Sequence, residues 1–279
     1  MPRLSLTLAL YQCAPQSLDV AGNLQRLHDA AQRARAQGAQ LLVCPEMFLT
    51  GYAIGAAAVH ALARSADPAQ ERSYAAAVAQ IAQQTSMDIV YGYPERSDEG
   101  AVYNAAQWMS AQGQVRLNYR KSHLYGELDA QQFSPAPASA ALAELRGWHI
   151  GLMICYDVEF PEAPRLAALA GADVLLVPTA NMEPNDFVPQ RLVPVRAFEN
   201  QIALAYANFA GTEGGLIYNG QSLICGADGV VLSQAGRSPD FIVATLEPEA
   251  LDRARQQQTH LQDLRAWQIS NGGPTNGNG

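Results

Sequence analysis

Short apolar runs alternate with longer amphipathic stretches along most of the chain. The first apolar run, within residues 1–16, contains alternating polar positions and predicts a strand. Residues 21–40 carry aliphatic side chains at helical spacing, and Gly38 is placed to end that helix. The continuous apolar run at 41–44 follows, which is typical of a strand buried on both faces. A strand, a helix and a second strand are therefore predicted within the first 44 residues.

The same alternation continues through the rest of the chain. Helices are predicted near residues 68–85, after Pro161, and near residues 186–200. Further strands are predicted at 87–96, 102–109, 114–121, 148–157, 174–181, 202–209, 222–232 and 240–247. Residues 111–113 predict a hairpin turn that joins two of these strands.

This order of elements predicts an α/β fold with a mixed sheet. Helices between strands indicate βαβ units, whereas the hairpin indicates antiparallel pairs, so we expect two sheets packed face to face with helices outside. No linker or shift in composition interrupts the body, which predicts a single domain over residues 1–269. The tail at 270–279 carries no large apolar side chain, and we expect it to lie outside the fold.

Composition and charge exclude several classes of protein. Hydrophobic residues make up 48% of the 279 residues and charged residues 16%, which excludes general disorder. The net charge of −8 and the pI of about 5.1 oppose a nucleic-acid binder that works by neutralising phosphates. Nucleic acid is therefore not an expected partner.

The sequence contains no signal for a membrane. No apolar run reaches the roughly 18 to 20 residues needed to span a bilayer, and the mean hydropathy is −0.09. The beginning of the chain has one basic residue and an alternating pattern, which indicates a strand rather than an export signal. We therefore expect a soluble, cytoplasmic protein that has no membrane partner.

The four cysteines do not indicate a disulfide framework or a zinc site. Cys13, Cys44, Cys155 and Cys225 lie far apart and include no CxxC pair, and the five histidines show no metal-ligand spacing. We therefore expect free thiols and no bound metal.

Three residues at predicted strand ends carry the candidate chemistry. Cys155 lies at the end of an apolar run and just before a helix, where open α/β sheets place ligands. Glu46 follows a strand that is predicted to be buried, and Lys121 closes another strand. Each has an ordinary alternative on its own: a small buried hydrophobe for the cysteine, and solvated charges for the glutamate and the lysine.

Together these three residues fit nucleophilic catalysis. A free thiol has a pKa of about 8.5 and needs an adjacent cation or base to attack at neutral pH. Lys121 can supply the cation, while Glu46 can accept the thiol proton and later activate water. The Lys121 ammonium and the backbone amide of Tyr156 can stabilise the negative oxygen of a tetrahedral intermediate. We therefore expect catalysis without a metal or an organic cofactor.

Three segments resemble the signature segments of the carbon–nitrogen hydrolases, the nitrilase superfamily. They are CPEMFLTGY at 44–52, YRKSHLYGELD at 119–129 and GLMICYDVEFPE at 151–162. The family's glutamate, lysine and cysteine triad matches Glu46, Lys121 and Cys155 in the same order. The resemblance implies a four-layer α-β-β-α sandwich. It also implies a second glutamate after the lysine, for which Glu127 is the candidate and Asp129 a less favoured substitute.

The resemblance implies an amidase rather than one defined substrate. The triad serves nitrile hydrolysis, amide hydrolysis and decarbamoylation. The segments AGNLQRL, IVYGYPER, HLYGELD, PTANM and GQS resemble those of bacterial amidases that act on 5-aminopentanamide. We expect this short carboxamide and water as substrates. An N-carbamoyl amine or amino acid hydrolase and a stereoselective amidase remain alternatives.

A substrate with an ammonium group needs an apolar slot and an aromatic or negative group at its far end. Residues that follow or adjoin the triad strands are the candidates for binding it, and each could instead be a structural loop residue. They are Tyr52, Tyr125, Tyr156, Asn181 and Asp186.

The resemblance also implies at least a homodimer. The helix that contains Arg196, Glu199 and Asn200 is the candidate contact. Two other classes remain open: a non-catalytic binding subunit of the same fold, and a thiol-redox protein that uses Cys155. Release of ammonia from simple amides distinguishes the hydrolase from both.

Overall fold

The structure is a computed structural model that describes residues 2–70 and 73–270. The predicted tail therefore lies almost entirely outside the described residues. The strands are β1 Leu6–Gln12, β2 Leu41–Val43, β3 Asp88–Arg96, β4 Val102–Met109, β5 Val115–Arg120, β6 Leu142–Leu145, β7 Trp148–Leu152, β8 Val174–Thr179, β9 Ala203–Asn208, β10 Ala210–Glu213, β11 Leu216–Asn219, β12 Leu223–Cys225, β13 Val231–Gln234 and β14 Asp240–Leu246. The helices are α1 Val20–Ala36, α2 Ala56–Leu62, α3 Tyr74–Thr85, α4 Gly126–Ala130, α5 Glu162–Leu169, α6 Val193–Asn200, α7 Pro248–Gln257 and α8 His260–Ser270.

Two mixed six-stranded sheets have closely similar topologies. Their strand orders are β14-β1-β2-β3-β4-β5 and β13-β12-β9-β8-β7-β6. In each sheet three parallel strands, β1-β2-β3 or β7-β8-β9, lie in the centre, and antiparallel strands flank them. The short hairpin β10-β11 belongs to neither sheet.

Successive side chains of a strand point to opposite faces of its sheet, so each strand contributes side chains to two apolar layers. In β1, Leu6, Leu8 and Leu10 pack between the two sheets, where they meet Val174 and Leu176 of β8. The outer face of the first sheet packs against α1 and α3, and that of the second sheet against α5 and α6. The layers therefore run α-β-β-α, and the predicted α/β sandwich is confirmed.

Local signals explain where the first helices begin and end. Asp19 accepts a hydrogen bond from the Gly22 backbone N–H at 2.9 Å and caps α1, while Gly38 follows its end with a φ of 79°. Ser73 caps α3 through the Ala75 N–H, so this helix begins later than the residue 68 that periodicity predicts.

Several predicted elements are shorter or divided in the structure. The strand predicted at 148–157 ends at Leu152, and a 3₁₀ turn, Cys155–Glu159, follows. The segment 222–232 forms two strands because a turn that ends at Gly229, with a φ of 77°, separates them. The helix predicted at 186–200 consists of a π-helical turn, Val188–Leu192, followed by α6. Strands β6, β10 and β11 are short and were not predicted.

Candidate active site

The three candidate residues follow strands that end at the same edge of the sandwich. Glu46 lies three residues beyond β2, Lys121 directly follows β5, and Cys155 lies three residues beyond β7 of the other sheet. The Glu46 backbone N–H donates to the Thr179 carbonyl at the end of β8, at 3.3 Å, and joins the two sheets there. The site therefore lies where the carboxyl ends of both parallel cores meet.

A buried ammonium group forms the centre of the site. Lys121 is 0% exposed, and its Nζ donates to Glu46 Oε1 at 2.7 Å and to Asp129 Oδ2 at 2.7 Å. The Asn104 side-chain amide also donates to Glu46 Oε1, at 2.6 Å. Glu46 Oε2 accepts no hydrogen bond from the described residues. One oxygen of this buried carboxylate is therefore held by a cation and an amide, and the other can accept a proton.

The second carboxylate on the lysine is Asp129, and the placement expected for Glu127 is wrong. Both residues belong to α4, but Glu127 lies on its exposed side and Asp129 is buried. Asp129 Oδ2 also accepts the Tyr125 backbone N–H at 2.9 Å. Residues two apart on a helix point in different directions, so only one of the two carboxylates can reach Lys121.

Cys155 begins the 3₁₀ turn with a φ of 46°. A positive φ is uncommon for a residue with a side chain and persists only where its surroundings enforce it. Arg196 of α6 supplies part of that support, because its Nε donates to the Val158 carbonyl at 3.1 Å and its Nη2 to the Glu159 carbonyl at 2.8 Å. The turn therefore presents the thiol from a fixed backbone.

Asp157 ties the cysteine turn to the segment after Lys121. Its buried carboxylate accepts the Ile154 N–H at 3.2 Å and the Tyr119 hydroxyl at 2.9 Å. It also accepts the His123 backbone N–H at 2.9 Å and lies 2.8 Å from His123 Nδ1. Both the backbone and the ring of His123 therefore contact the carboxylate that anchors the cysteine turn.

The electrostatics favour a protonated thiol in the resting site. Burial raises the pKa of Cys155 well above its usual value, and the Glu46 carboxylate raises it further, against opposing contributions from Lys121 and a backbone hydrogen bond with Ala180. Burial would lower the pKa of Lys121, but the Glu46 and Asp129 carboxylates outweigh it, and the pKa is raised. Both shifts favour a charged lysine beside a neutral thiol.

Burial also raises the pKa of Glu46. The Lys121 ammonium opposes this shift, and the Asp129 charge adds to it. A carboxylate whose pKa is raised is a better proton acceptor at neutral pH than an exposed one. The free Glu46 oxygen is therefore suited to receive the thiol proton.

The three candidate tyrosines lie around these charged groups. The Tyr52 ring centroid is 5.8 Å from Lys121 Nζ, and this ring is almost fully buried. Tyr125 and Tyr156 are half-buried and pack edge to face, with centroids 5.3 Å apart. The structure therefore brings all three rings to the elements that carry the triad.

The two remaining candidates lie on the loop beyond β8. Asn181 is buried, and its Nδ2 donates to the Asn185 carbonyl at 3.0 Å. Asp186 accepts hydrogen bonds from Asn219 and Gln221 and forms an ion pair with Arg237. Arg237 also forms an ion pair with Glu183, so this one cation is shared by two carboxylates, and the role of Asp186 in binding a cationic substrate stays a prediction.

Sequence reasoning missed several buried polar residues that hold the site together. Asp157 lies two residues after the cysteine, and Asn104 lies inside an apolar strand. Buried polar side chains need partners, so a polar residue within an apolar strand was a usable signal for Asn104. Asp129 was the less favoured of two candidates, and only the helix phase could choose between them.

The described residues hold no group of three or more His, Cys, Asp and Glu side chains arranged to bind a metal ion. Among the same residues, no helix combines the length and the apolar character needed to cross a bilayer.

Comparisons with known proteins agree with this geometry. The family model described as carbon-nitrogen hydrolase matches residues 7–256. The chain is 50% identical over 262 residues to a Pseudomonas protegens protein described as "Hydrolase in pqqF 5'region", covering 94% of this chain and 90% of that protein. It is 33% identical over 261 residues to an (R)-stereoselective amidase from a Pseudomonas species, covering 93% of this chain and 92% of that enzyme.

A solved amidase shares the fold and binds small amides. A cysteine-to-alanine variant of the amidase from Nesterenkonia sp. AN1, in complex with butyramide, is 35% identical with a TM-score of 0.80. The match covers 95% of this chain and 96% of that one. A glutamate-to-glutamine variant of the same amidase carries the acetamide moiety of fluoroacetamide covalently attached to its active-site cysteine.

Proposed function

The chain belongs to the carbon–nitrogen hydrolase family and is an amide-hydrolysing enzyme of the nitrilase superfamily, and we propose that it converts a short aliphatic carboxamide to the acid and ammonia through a cysteine thioester. The observation that carries the proposal is the buried Lys121, held between Glu46 and Asp129 beside a protonated Cys155. This arrangement combines a nucleophile, a base and a fixed cation in one desolvated site.

In the first half of the reaction, Cys155 Sγ attacks the amide carbon as its proton passes to Glu46 Oε2. The carbonyl oxygen becomes negative and is stabilised by Lys121 Nζ and the Tyr156 backbone N–H. Glu46 then returns the proton to the nitrogen, the C–N bond breaks and ammonia leaves. A thioester on Cys155 remains.

In the second half, water attacks the thioester carbon and gives one proton to Glu46. The C–S bond breaks, the acid leaves, and the proton passes from Glu46 to the sulfur. One amide and one water are consumed for each acid and ammonia formed. Glu46 therefore serves as the base in both halves, which its one free oxygen allows.

For the substrate we propose 5-aminopentanamide. The edge-to-face pair of Tyr125 and Tyr156 offers aromatic surface to an ammonium group. Glu159 adds a half-buried carboxylate on the same turn as Cys155, and its side chain accepts no hydrogen bond from the described residues. Burial raises the pKa of Glu159, and the Lys121 and Arg196 cations oppose this shift. These groups support an ammonium site.

Ammonia release from a substrate panel tests this choice. The panel contains pentanamide, 5-aminopentanamide, an N-carbamoyl amine and a nitrile, together with both enantiomers of a chiral amide. We expect the highest kcat/KM for 5-aminopentanamide, because a polar partner of the ammonium is left unpaired when pentanamide binds. Glu159→Gln should lower the ratio of kcat/KM for 5-aminopentanamide to kcat/KM for pentanamide. Cys155→Ala measures the background release of ammonia without the nucleophile.

Each outcome of the panel identifies one alternative. Equal rates on pentanamide and 5-aminopentanamide would retain the amidase and reject the ammonium site. A preference for the carbamoyl compound would favour an N-carbamoyl hydrolase, and a preference for one enantiomer would favour a stereoselective amidase. If Cys155→Ala released ammonia at the wild-type rate, the thioester mechanism itself would be rejected.

We further propose that the enzyme acts in lysine degradation in the cytoplasm, and that it works as a homodimer or a higher homo-oligomer. The predicted contact helix needs a correction in detail. Arg196 and Asn200 are buried and bonded within their own chain, whereas Val195 and Phe198 of the same helix are exposed. These apolar side chains support α6 as the contact, and light scattering on wild type and Phe198→Glu measures it.

A further inference from the structure

The hairpin β10-β11 lies outside both sheets but connects two segments of the active-site rim. On one side, the Asn219 N–H donates to the Asn181 carbonyl at 3.2 Å, and the Glu183 N–H donates to the Ile217 carbonyl at 2.9 Å. On the other side, Glu213 reaches the segment that follows Glu46. The hairpin carries none of the reacting groups, so it can affect the reaction only through the segments that it contacts.

The Glu213 carboxylate is buried and fully engaged. It is 7% exposed, and its Oε2 accepts the Tyr52 N–H at 3.1 Å, the Ala53 N–H at 2.8 Å and the Tyr218 hydroxyl at 2.6 Å. Its Oε1 accepts the Ser17 hydroxyl. Four donors from three separate parts of the chain therefore converge on one side chain.

The backbone around Tyr52 is shaped to receive this carboxylate. Gly51 has a φ of 88°, and a Cβ at this position would collide with Glu213 Oε1. The hairpin turn approaches from the other side, where a Cβ on Gly214 would lie 2.7 Å from the Ala53 carbonyl oxygen. Both glycines are therefore needed for the close contact between the hairpin and this segment.

The residue held in this way faces the reacting groups. Tyr52 is almost fully buried, and its ring lies over the Lys121 ammonium. The Glu213 carboxylate accepts the backbone N–H of the same residue. A small movement of the segment would displace the ring from Lys121 and open the wall of the site to water.

We propose that Glu213 is a positioning residue for amide hydrolysis, which holds Tyr52 against the Lys121–Glu46 pair through the two backbone hydrogen bonds. This inference rests on the proposed roles of Cys155, Glu46 and Lys121. Glu213 does not touch the substrate, and it acts only through the Tyr52 segment. A purely structural role would instead change the stability of the protein and leave the rate of the folded enzyme unchanged.

Two substitutions separate these roles. Glu213→Ala removes all four hydrogen bonds and should lower kcat/KM on butyramide by about tenfold to a hundredfold, since displacement of a site group by about 1 Å has costs of this size. Glu213→Gln keeps an oxygen for the two backbone N–H groups and an amide that can donate to Ser17. It should stay within about threefold of the wild-type rate.

A second readout does not depend on the identity of the natural substrate. Intact mass spectrometry measures the rate at which fluoroacetamide labels Cys155, and this rate should fall in Glu213→Ala and recover in Glu213→Gln. If wild type is labelled but hydrolyses no amide, the proposed function fails while the positioning role can still be measured. If Glu213→Ala does not fold, Glu213→Asp retracts the carboxylate by one methylene and replaces it.

The matched control is Asp88, another buried carboxylate that accepts three hydrogen bonds away from the site, from Trp108, Ala111 and Arg116. Asp88→Ala should lower the melting temperature and leave both rates at the wild-type value.

A double-mutant cycle tests whether Glu213 acts through Tyr52. In the Tyr52→Ala background, Glu213→Ala should have little further effect on kcat/KM. The proposal is overturned if Glu213→Ala retains the wild-type rates. It is also overturned if its effect is equally large with and without the Tyr52 ring.

Discussion

At the scale of single residues, the site contains three buried charged side chains that contact one another. Glu46 and Asp129 together outweigh the one positive charge of Lys121, so the group carries a net negative charge when the thiol is neutral. A buried charge is tolerated only when it is paired and hydrogen-bonded, and both carboxylates bind the same ammonium. Burial first, and the Glu46 carboxylate second, raise the pKa of Cys155, which favours a neutral thiol beside this group.

The raised pKa of Glu46 predicts an acid limb in the pH profile. Below its pKa, Glu46 is protonated and cannot accept the thiol proton, so kcat/KM should fall as the pH drops through a value above the ordinary carboxyl range. Asn104 donates to the charged form and lowers this pKa, so Asn104→Ala should move the limb to higher pH. Ammonia release measured across pH provides the profile.

The control for this profile is Asn118→Ala. Asn118 donates to Glu95 rather than to Glu46, so the limb should stay in its wild-type position. A shift of the limb to lower pH in Asn104→Ala would contradict the assignment of Glu46 as the base.

Asp129 and Glu127 form a natural matched pair for mutation. Asp129→Ala removes one of the two acceptors on Lys121 and should reduce kcat/KM by about a hundredfold or more, as loss of a preorganised charge contact does in other enzymes. Glu127→Ala removes an exposed carboxylate and should leave the rate within about threefold of wild type. Steady-state kinetics on the best amide measure both, and the reverse order would restore Glu127 as the functional carboxylate.

At the scale of elements, the short 3₁₀ turn does more for the site than its length implies. It changes the chain direction between β7 and α5, so that Cys155 points towards groups supplied by the other sheet. Asp157 and Arg196 both fix the turn. Asp157 accepts hydrogen bonds from backbone and side-chain donors, and Arg196 donates to backbone carbonyl oxygens of the turn. A strand that continued to residue 157 would have placed the sulfur in the sheet and out of reach.

Asp157→Ala should therefore impair both stability and reaction. The change leaves the Ile154 and His123 N–H groups without this acceptor, and a buried unsatisfied group costs about 1–3 kcal/mol. We expect a lower midpoint in urea unfolding and slower labelling of Cys155 by fluoroacetamide. Asp173→Ala removes another buried acceptor, distant from the turn, and should lower stability alone. Equal labelling rates in the two variants would show that Asp157 is merely structural.

At the scale of the whole molecule, the two sheets supply different parts of one site. Glu46 and Lys121 come from the first sheet and Cys155 from the second, so the apolar layer between the sheets sets their relative position. Packed interiors resist small displacements because their side chains interdigitate at crystal-like density. The precision of the site is therefore a property of the interior as a whole.

A cavity in that interior tests this dependence. Leu176 is fully buried between the sheets, and Leu176→Ala should destabilise the protein by about 2–5 kcal/mol, measured by urea unfolding. At a temperature where this variant is fully folded, its kcat/KM should still be lower than that of wild type. Val230→Ala changes an exposed side chain and should alter neither the free energy of unfolding nor kcat/KM. Unchanged kcat/KM in folded Leu176→Ala would show that the two sheets hold the site without the help of this layer.

The sequence by itself determined much of the architecture, because strand and helix periodicity depends only on neighbouring residues. Leu6, Leu8 and Leu10 occupy every second position of β1 and therefore lie on one face of the sheet. The signals at Asp19 and Gly38 that begin and end α1 are also local. The sequence also identified Glu46, Lys121 and Cys155 as candidates, because each lies at the end of a predicted strand, in a segment that resembles a signature segment of the carbon–nitrogen hydrolases. These inferences needed no knowledge of distant contacts.

Only the tertiary structure decided which polar residues meet. Asp129 rather than Glu127 reaches Lys121 because helix phase, not sequence spacing, sets the direction of a side chain. Asp186 forms an ion pair with Arg237, which lies far away in the sequence, and Glu213 reaches Tyr52 from a hairpin that no periodicity predicted. Hydrogen bonds and ion pairs between distant segments depend on how the whole chain packs, and a local pattern does not encode them.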